Sequence, residues 1–240
     1  MVRRGDGPVG AADRVELGTP PPPVFPSALR RIFEDDDLVV IDKPPGLLTI
    51  ATESERERTA YRMLASYVAG QRERRLFIVH RLDRETSGLL VFAKSPAAKR
   101  ALQAQFEART VERRYVAVVE GRLPEPSGVL KSRLRVDRSL RVRQARRGNE
   151  GKEAITTYRV LELRDDATLL ELALTTGRRG QIRAQLAALG HPIVGDDAYG
   201  SRRNPLRRVC LHATRLAFVA PGGRRVAFDS PAPAAFGRVR

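Results

Sequence analysis

Asp83 stands between two arginines, in the run His80-Arg81-Leu82-Asp83-Arg84-Glu85-Thr86-Ser87-Gly88. A carboxylate beside guanidinium groups is expected to stay ionised, because nearby positive charge favours the charged form. An ionised carboxylate is what a nucleophile or a general base requires. The alternative is structural: an Asp that caps a turn and pairs with an Arg, since ion pairs of that kind also occur away from active sites. Two apolar runs flank the cluster, Leu76-Phe77-Ile78-Val79 and Leu89-Leu90-Val91-Phe92-Ala93. The second is bounded by Gly88 and by Lys94-Ser95-Pro96, as a short buried strand would be. Asp83 is therefore expected in a loop between two buried strands.

The composition points to a polyanionic partner. The chain has 240 residues, 42% of them hydrophobic, enough for one domain with a sizeable core. Its net charge is +16 and its pI about 11.1, a balance that favours nucleic acid. An anionic membrane would compete as partner, but no basic amphipathic helix with a large apolar face stands out. No apolar stretch has membrane-spanning length, and the N-terminus lacks a signal-peptide core. Cys210 is the single cysteine, so no intrachain disulfide can form. It reads as a small buried residue in a reducing compartment. The default location is cytoplasmic and the default state a monomer.

Along the chain, residues 1–26 contain Pro20-Pro21-Pro22-Pro23 and few large apolar side chains. They read as a disordered or loosely attached leader ahead of a domain spanning 27–240. Leu38-Val39-Val40-Ile41 is a strand ended by Asp42-Lys43-Pro44-Pro45-Gly46. Thr59 to Ala69 is a helix with Met63, Leu64, Tyr67 and Val68 on one side, after a charged loop from Thr52 to Arg58. Ser95-Pro96 starts a second helix, which runs to about Ala108 with Leu102 and Phe106 inward. Arg113 to Gly121 is a strand with Tyr115, Ala117 and Val119 on one face. Strands follow at Ala154–Leu161, Thr168–Leu174 and Arg225–Asp229.

Two further stretches bear on function. Lys131 to Arg147 carries Lys131, Arg133, Arg135, Arg138, Arg141, Arg143, Arg146 and Arg147 against a single acid, Asp137. With Leu134, Val136, Leu140 and Val142 interleaved, it reads as an exposed hairpin whose basic side chains either contact phosphates or form a solvated surface. Thr175-Thr176-Gly177-Arg178-Arg179-Gly180-Gln181-Ile182-Arg183 reads as a strand end, a loop and a helix start, with Ile182, Leu186 and Leu189 buried and Gly190 as the stop. The amides of that helix start favour an anion, or the stretch is simple punctuation. His80, His191 and His212 are scattered without metal-ligand spacing. Asp196-Asp197 lies between glycines and reads as a turn. No phosphate-cradling nucleotide motif is present.

His80-Arg81-Leu82-Asp83 followed by Thr86-Ser87-Gly88-Leu89-Leu90 resembles the signature of the RluA family of pseudouridine synthases. Asp42-Lys43-Pro44-Pro45-Gly46 is similar to that family's first motif, and Thr176-Gly177-Arg178 with Gln181-Ile182-Arg183 to a later one. Arg113-Arg114-Tyr115-Val116-Ala117-Val118-Val119 matches its tyrosine strand. The resemblance runs from about Ile32 to Ala232. It departs at Gly180 and Gln185, where histidines are usual, which bears on loop packing and on the RNA chosen.

The resemblance implies an α/β (α+β) fold: a single pseudouridine-synthase-type domain with a long mixed, mostly antiparallel sheet, flanking helices and a central cleft. It also implies an RNA isomerase that needs no cofactor and acts on uridines in structured RNA, tRNA or rRNA. Asp83 is then the catalytic carboxylate, Tyr115 the residue against the base, and Arg183 the partner of Asp83. Arg81 is implied in the space vacated by the flipped base. The RNA contacts expected are Arg81, Lys43, Arg84 and Arg178 near the cleft, and Arg133, Arg135, Arg141 and Arg143 on the hairpin. For Lys43 a solvated turn residue is the alternative, and Thr86 and Ser87 are expected to shape the loop rather than react. The rival classes are an idle RNA-binding relative and a basic DNA-binding protein, the latter without a helix-turn-helix or zinc signature.

Overall fold

The computed structural model of the chain describes residues 23–53, 55–71, 75–137, 141–145 and 150–239. Most of the expected leader, residues 1–22, and Arg138, Leu140, Arg146 and Arg147 of the basic stretch lie outside the described residues.

The unbroken apolar runs form strands because both of their faces are covered. Strand β2 (Leu38–Lys43) and strand β4 (Ser87–Ala93) pair antiparallel through six positions, from Leu38 opposite Ala93 to Lys43 opposite Gly88. Alternation sends Val39, Ile41, Leu90 and Phe92 to one face, where Leu64 and Val68 of helix α1 (Ala60–Ala69) cover them. Leu38, Val40, Leu89 and Val91 go to the other face, under Ala98 and Leu102 of helix α2 (Pro96–Glu107). Both helices start as expected: Thr59 caps the first by accepting from the Arg62 amide, and Ser95 caps the second, with Pro96 in its first turn.

Among the described residues one sheet carries all eleven strands. Its order is β1-β2-β4-β10-β5-β9-β8-β6-β7, with β3 also on β4 and β11 also on β10. The strands not yet placed are β1 (Arg30–Glu34), β3 (Phe77–Ile78), β5 (Glu112–Glu120), β6 (Ser127–Val136), β7 (Val142–Gln144), β8 (Lys152–Leu163), β9 (Ala167–Leu174), β10 (Leu211–Val219) and β11 (Arg225–Asp229). Among the strands named here the one parallel pairing is β4 on β10, where Ser87 and Gly88 meet His212 and Ala213. This short seam joins the two halves of the sheet. Gly88 has φ +111°, and a Cβ there would stand 2.3 Å from the Ala213 carbonyl oxygen. Only glycine allows that approach.

Helix α3 (Gln181–Ala188) is capped by Leu189 and stops at Gly190, as expected, but Leu189, expected in the core, is 45% exposed. The basic stretch does form an antiparallel hairpin, β6 with β7, but its root is anchored: Leu134 and Val142 are buried with Ala154 and Ala184, with Tyr199 packed against them.

Candidate active site

Asp83 occupies a turn held from both sides. The Thr86 amide donates to the Asp83 carbonyl at 3.2 Å, closing a four-residue turn at the entrance to β4. Thr49 fixes the preceding residue, its hydroxyl donating to the Leu82 carbonyl and accepting from the Leu82 amide. Lys43 fixes the following one. Its ammonium donates to the carbonyls of Pro44, Leu47 and Arg84 at 2.9, 2.8 and 3.2 Å. Lys43 is fully buried, so the contact with RNA expected for it is not available: the side chain staples the Lys-Pro-Pro-Gly loop to the Asp83 loop instead. Burial pushes its ammonium down to about 7.

Behind the loop Ser87 joins a buried polar chain. Its hydroxyl accepts from Arg208 at 2.6 Å and lies 2.8 Å from His212 Nδ1, whose other nitrogen meets Ser230. Ser230 in turn donates to Asp42. Ser87 thus anchors the parallel seam beside Gly88.

Two cavities meet at Asp83. One, of about 520 Å³, is lined by Asp83, His80, Phe106, Arg113, Tyr115 and Arg183 among others. The second, of about 660 Å³, is lined by Arg84, Arg141, Asp196, Tyr199, Arg207 and Arg208. Arg81, Asp83, Arg179 and Arg183 border both. Among the described residues the Asp83 carboxylate has no ion pair and no hydrogen bond, so its oxygens are available to a substrate. Arg84, its neighbour in the sequence, turns to the Gly46 carbonyl and toward Glu85.

Tyr115 lies in the wall of the first cavity, 7% exposed. Burial, with the negative charge of Asp83 added, pushes its phenol up to about 12, so it is protonated at neutral pH. His80 packs its ring on Phe106, with centroids 4.7 Å apart, and accepts from the Val91 amide through Nε2. Burial and the nearby Arg113 push it down to about 3, which leaves the imidazole neutral.

Arg183 reaches the same place, but its bonded partner is not Asp83. Its Nε and Nη2 donate to both oxygens of Asp196 at 2.6 and 2.7 Å, and its guanidinium lies 4.8 Å over the Tyr199 ring. Asp196 is fully buried and sits where the chain was expected only to turn. The physical reason is reach and burial: a fully desolvated carboxylate demands a bidentate cation, whereas Asp83 keeps access to solvent. Asp83 acts on Arg183 only through space, adding to the negative field around it.

Gln181 and Gln185 explain the loop before α3. Gln181 accepts from Thr176 and the Arg178 amide and donates to the Ile155 carbonyl and Thr156, which fixes residues 176–178. Gln185 accepts from Thr156 and donates to Leu130 and Ala154 carbonyls, tying α3 to the sheet. Gly180 adopts φ +57°, and a Cβ there would meet the Tyr199 hydroxyl at 2.7 Å. The two departures from the histidine pattern are thus built into this chain's packing.

The expected RNA contacts divide. Arg81 and Arg84 are exposed at the cleft. Arg178 lines the first cavity with its Nε on the Glu153 carbonyl, and Arg141 lines the second. Arg133 donates to the carbonyls of Glu150 and Gly151, and Arg143 pairs with Asp137. Arg135 stands 3.7 Å from Glu150, so the hairpin faces a second acid as well as Asp137. Among the described residues no cluster of His, Cys, Asp or Glu could hold a metal, and no helix is long and apolar enough to cross a membrane.

The cleft across the seam of the mixed sheet holds Asp83, unbonded among the described residues, and the buried Tyr115, and this stretch lies inside a match to a family of RNA-modifying isomerases. Residues 37–188 match the RNA pseudouridylate synthase family, and the chain belongs to that family of RNA pseudouridine synthases. It is 37% identical over 207 residues to an uncharacterized RNA pseudouridine synthase of Bacillus subtilis, YhcT, covering 85% of this chain and 68% of the relative. It is 40% identical over 217 residues to ribosomal large subunit pseudouridine synthase D of Nitrosomonas europaea, covering 85% of this chain and 62% of that protein. The chain therefore spans less than two thirds of the length of the second relative. Among solved structures, human RNA pseudouridylate synthase domain containing 1 aligns with TM-score 0.71 at 25% identity, over 85% of this chain and 84% of that one. Human RNA pseudouridylate synthase domain containing 4 shares the fold at TM-score 0.71 and 24% identity, over 87% and 90%.

Proposed function

We propose that this chain converts specific uridines in structured ribosomal or transfer RNA to pseudouridine, with Asp83 as the essential carboxylate and no cofactor. The observation that carries this reading is the Asp83 carboxylate itself, unbonded and facing Tyr115 and Arg183 across one cavity. The reaction breaks the bond from ribose C1′ to base N1, turns the base within the cavity, and joins C1′ to C5, the C5 proton leaving and N1 taking one up. Asp83 starts it by adding to C1′ or by taking the C2′ proton. Tyr115 offers a face for the extruded base and a phenol able to pass a proton near C5. Arg183, oriented by Asp196, holds positive charge beside Asp83. Large-subunit rRNA is the first RNA to examine, supported by relatives named as ribosomal large subunit pseudouridine synthase D. The protein is taken to act as a monomer in the cytoplasm.

Pseudouridine mapping of total RNA tests this in wild type, a deletion strain, and the deletion carrying Asp83→Asn. A site lost in the deletion and absent with Asp83→Asn is the expected result. An unchanged map, together with a purified protein that binds rRNA and tRNA but leaves their uridines intact, would favour an idle RNA-binding relative.

A further inference from the structure

Arg113 is a charged group of the cavity to which the proposed reaction gives no role. Arg113 precedes Tyr115 by two positions on β5, so alternation puts both side chains on the same face of the strand. Both line the 520 Å³ cavity with Asp83. Arg183, which lines the same cavity, has Asp196 as its carboxylate. Among the described residues Arg113 has none. Its Nε is buried without an acceptor, and its Nη2 reaches only the Leu174 carbonyl, at 3.5 Å. The guanidinium is held 5.7 Å from the Phe106 ring centroid. Space for it comes from Gly177, where a Cβ would stand 2.4 Å from Arg113 Nη1. Desolvating a cation without a counter-charge is costly. Such a group is satisfied when a negative charge enters the cavity.

The reaction supplies one. When the C1′–N1 bond breaks, its electron pair leaves with the base. If Asp83 adds to C1′, its negative charge becomes an ester bond. If Asp83 takes the C2′ proton, it becomes a neutral acid and a C1′–C2′ double bond forms. By either route the charge that began on Asp83 ends on the detached uracil, spread over its ring nitrogens and carbonyl oxygens, until C5 bonds to C1′ and the C5 proton departs. Resting on the function proposed above, we infer that Arg113 is a further catalytic residue: its guanidinium contacts the detached uracil and stabilises the negative charge that base carries. The base turns beside Tyr115 as an anion, within reach of the Arg113 guanidinium on the same wall, and N1 takes up a proton only after C5 has joined C1′ and released its own.

The test uses the full chain and unmodified transcripts of large-subunit rRNA and tRNA, made with uridine or with 5-fluorouridine. Fluorine at C5 withdraws electrons and so stabilises the detached base by itself. On uridine transcripts Arg113→Gln and Arg113→Met are expected to lower kcat about 100-fold, as loss of a charge-stabilising donor does, with KM changed little. Arg113→Lys should recover part of that loss, which also shows that the site tolerates substitution. Gly177→Ala, which displaces the guanidinium tip while leaving its charge, should lower kcat as well. With 5-fluorouridine, where base detachment is followed by loss of the fluorinated nucleoside, the Arg113→Gln deficit should shrink at least about tenfold. Equal deficits on the two transcripts, a loss confined to KM, or unimpaired turnover would overturn the role of Arg113 while leaving the Asp83 reaction standing. No turnover by the wild-type chain on any transcript would instead remove the proposed function, and this inference with it.

Discussion

Arg183 binds Asp196 through two hydrogen bonds of 2.6 and 2.7 Å, with the carboxylate fully buried and the guanidinium side chain 12% exposed. The pair ties the first turn of α3 to the segment after it and fixes where the positive charge faces Asp83. Asp196→Ala leaves that cation buried without a partner, a change that destabilises by about 3–5 kcal/mol. Urea unfolding of the variant is expected to show a loss of this size, and Asp196→Asn a smaller one. A shift below about 0.5 kcal/mol for the alanine variant would mean that Arg183 finds another acceptor.

Asp83 should behave in the opposite way. With no ion pair or hydrogen bond to its carboxylate among the described residues, Asp83→Asn removes only the through-space attraction to Arg183 and Lys43. Its unfolding free energy should stay within about 0.5 kcal/mol of wild type, while pseudouridine formation is lost. A strongly destabilised Asp83→Asn chain would count Asp83 among the structural ion pairs.

The seam between β4 and β10 depends on Gly88. Gly88→Ala places a methyl 2.3 Å from the Ala213 carbonyl oxygen at a φ of +111°. Neither backbone segment can yield without breaking the parallel pairing, so a loss of about 3 kcal/mol or more is expected. Thermal melts of the variant, read beside Gly46→Ala as a control with nothing within 4 Å of the added methyl, would show whether close approach or positive φ is the main cause.

Lys43 gives the fold a pH dependence on the alkaline side. Its folded pKa is about 7, below the ordinary 10.5. Below pH 7 both the folded and the unfolded chain hold the proton, and the cost of the buried charge is fully present. Between pH 7 and 10.5 the unfolded chain binds more protons, so stability rises with pH, by at most about 5 kcal/mol if nothing else titrates. Lys43→Met should flatten this rise in stability measured from pH 7 to 10. It should also slow turnover, because the Arg84 carbonyl beside Asp83 loses its donor. An unchanged alkaline slope would show that the three carbonyls keep the ammonium charged throughout.

Much of this molecule is legible in its sequence because the physics involved is local. The apolar runs at Leu38 and Leu89 announce strands buried on both faces, and Ser95-Pro96 announces a helix start. The net charge of +16 announces a polyanionic partner. The motif around Asp83 names the family, and its loop lies between the two strands the sequence marks. Side-chain pairing is not local, and there the sequence misleads. Arg183 lies 100 positions from Asp83 and 13 from Asp196, yet neither separation says which carboxylate is desolvated enough to require it. Lys43 looks like a surface lysine in a proline-rich turn. Only the closing of its loop over the Asp83 turn buries it against three carbonyls. Arg113 reads as one basic residue among many until β5 takes its place between β9 and β10 and Phe106 and Gly177 close around it. Residue type and spacing determined the strands, the caps and the loop that holds Asp83. The tertiary structure decided which charges were removed from water, and therefore which were paired and which were left to meet a substrate.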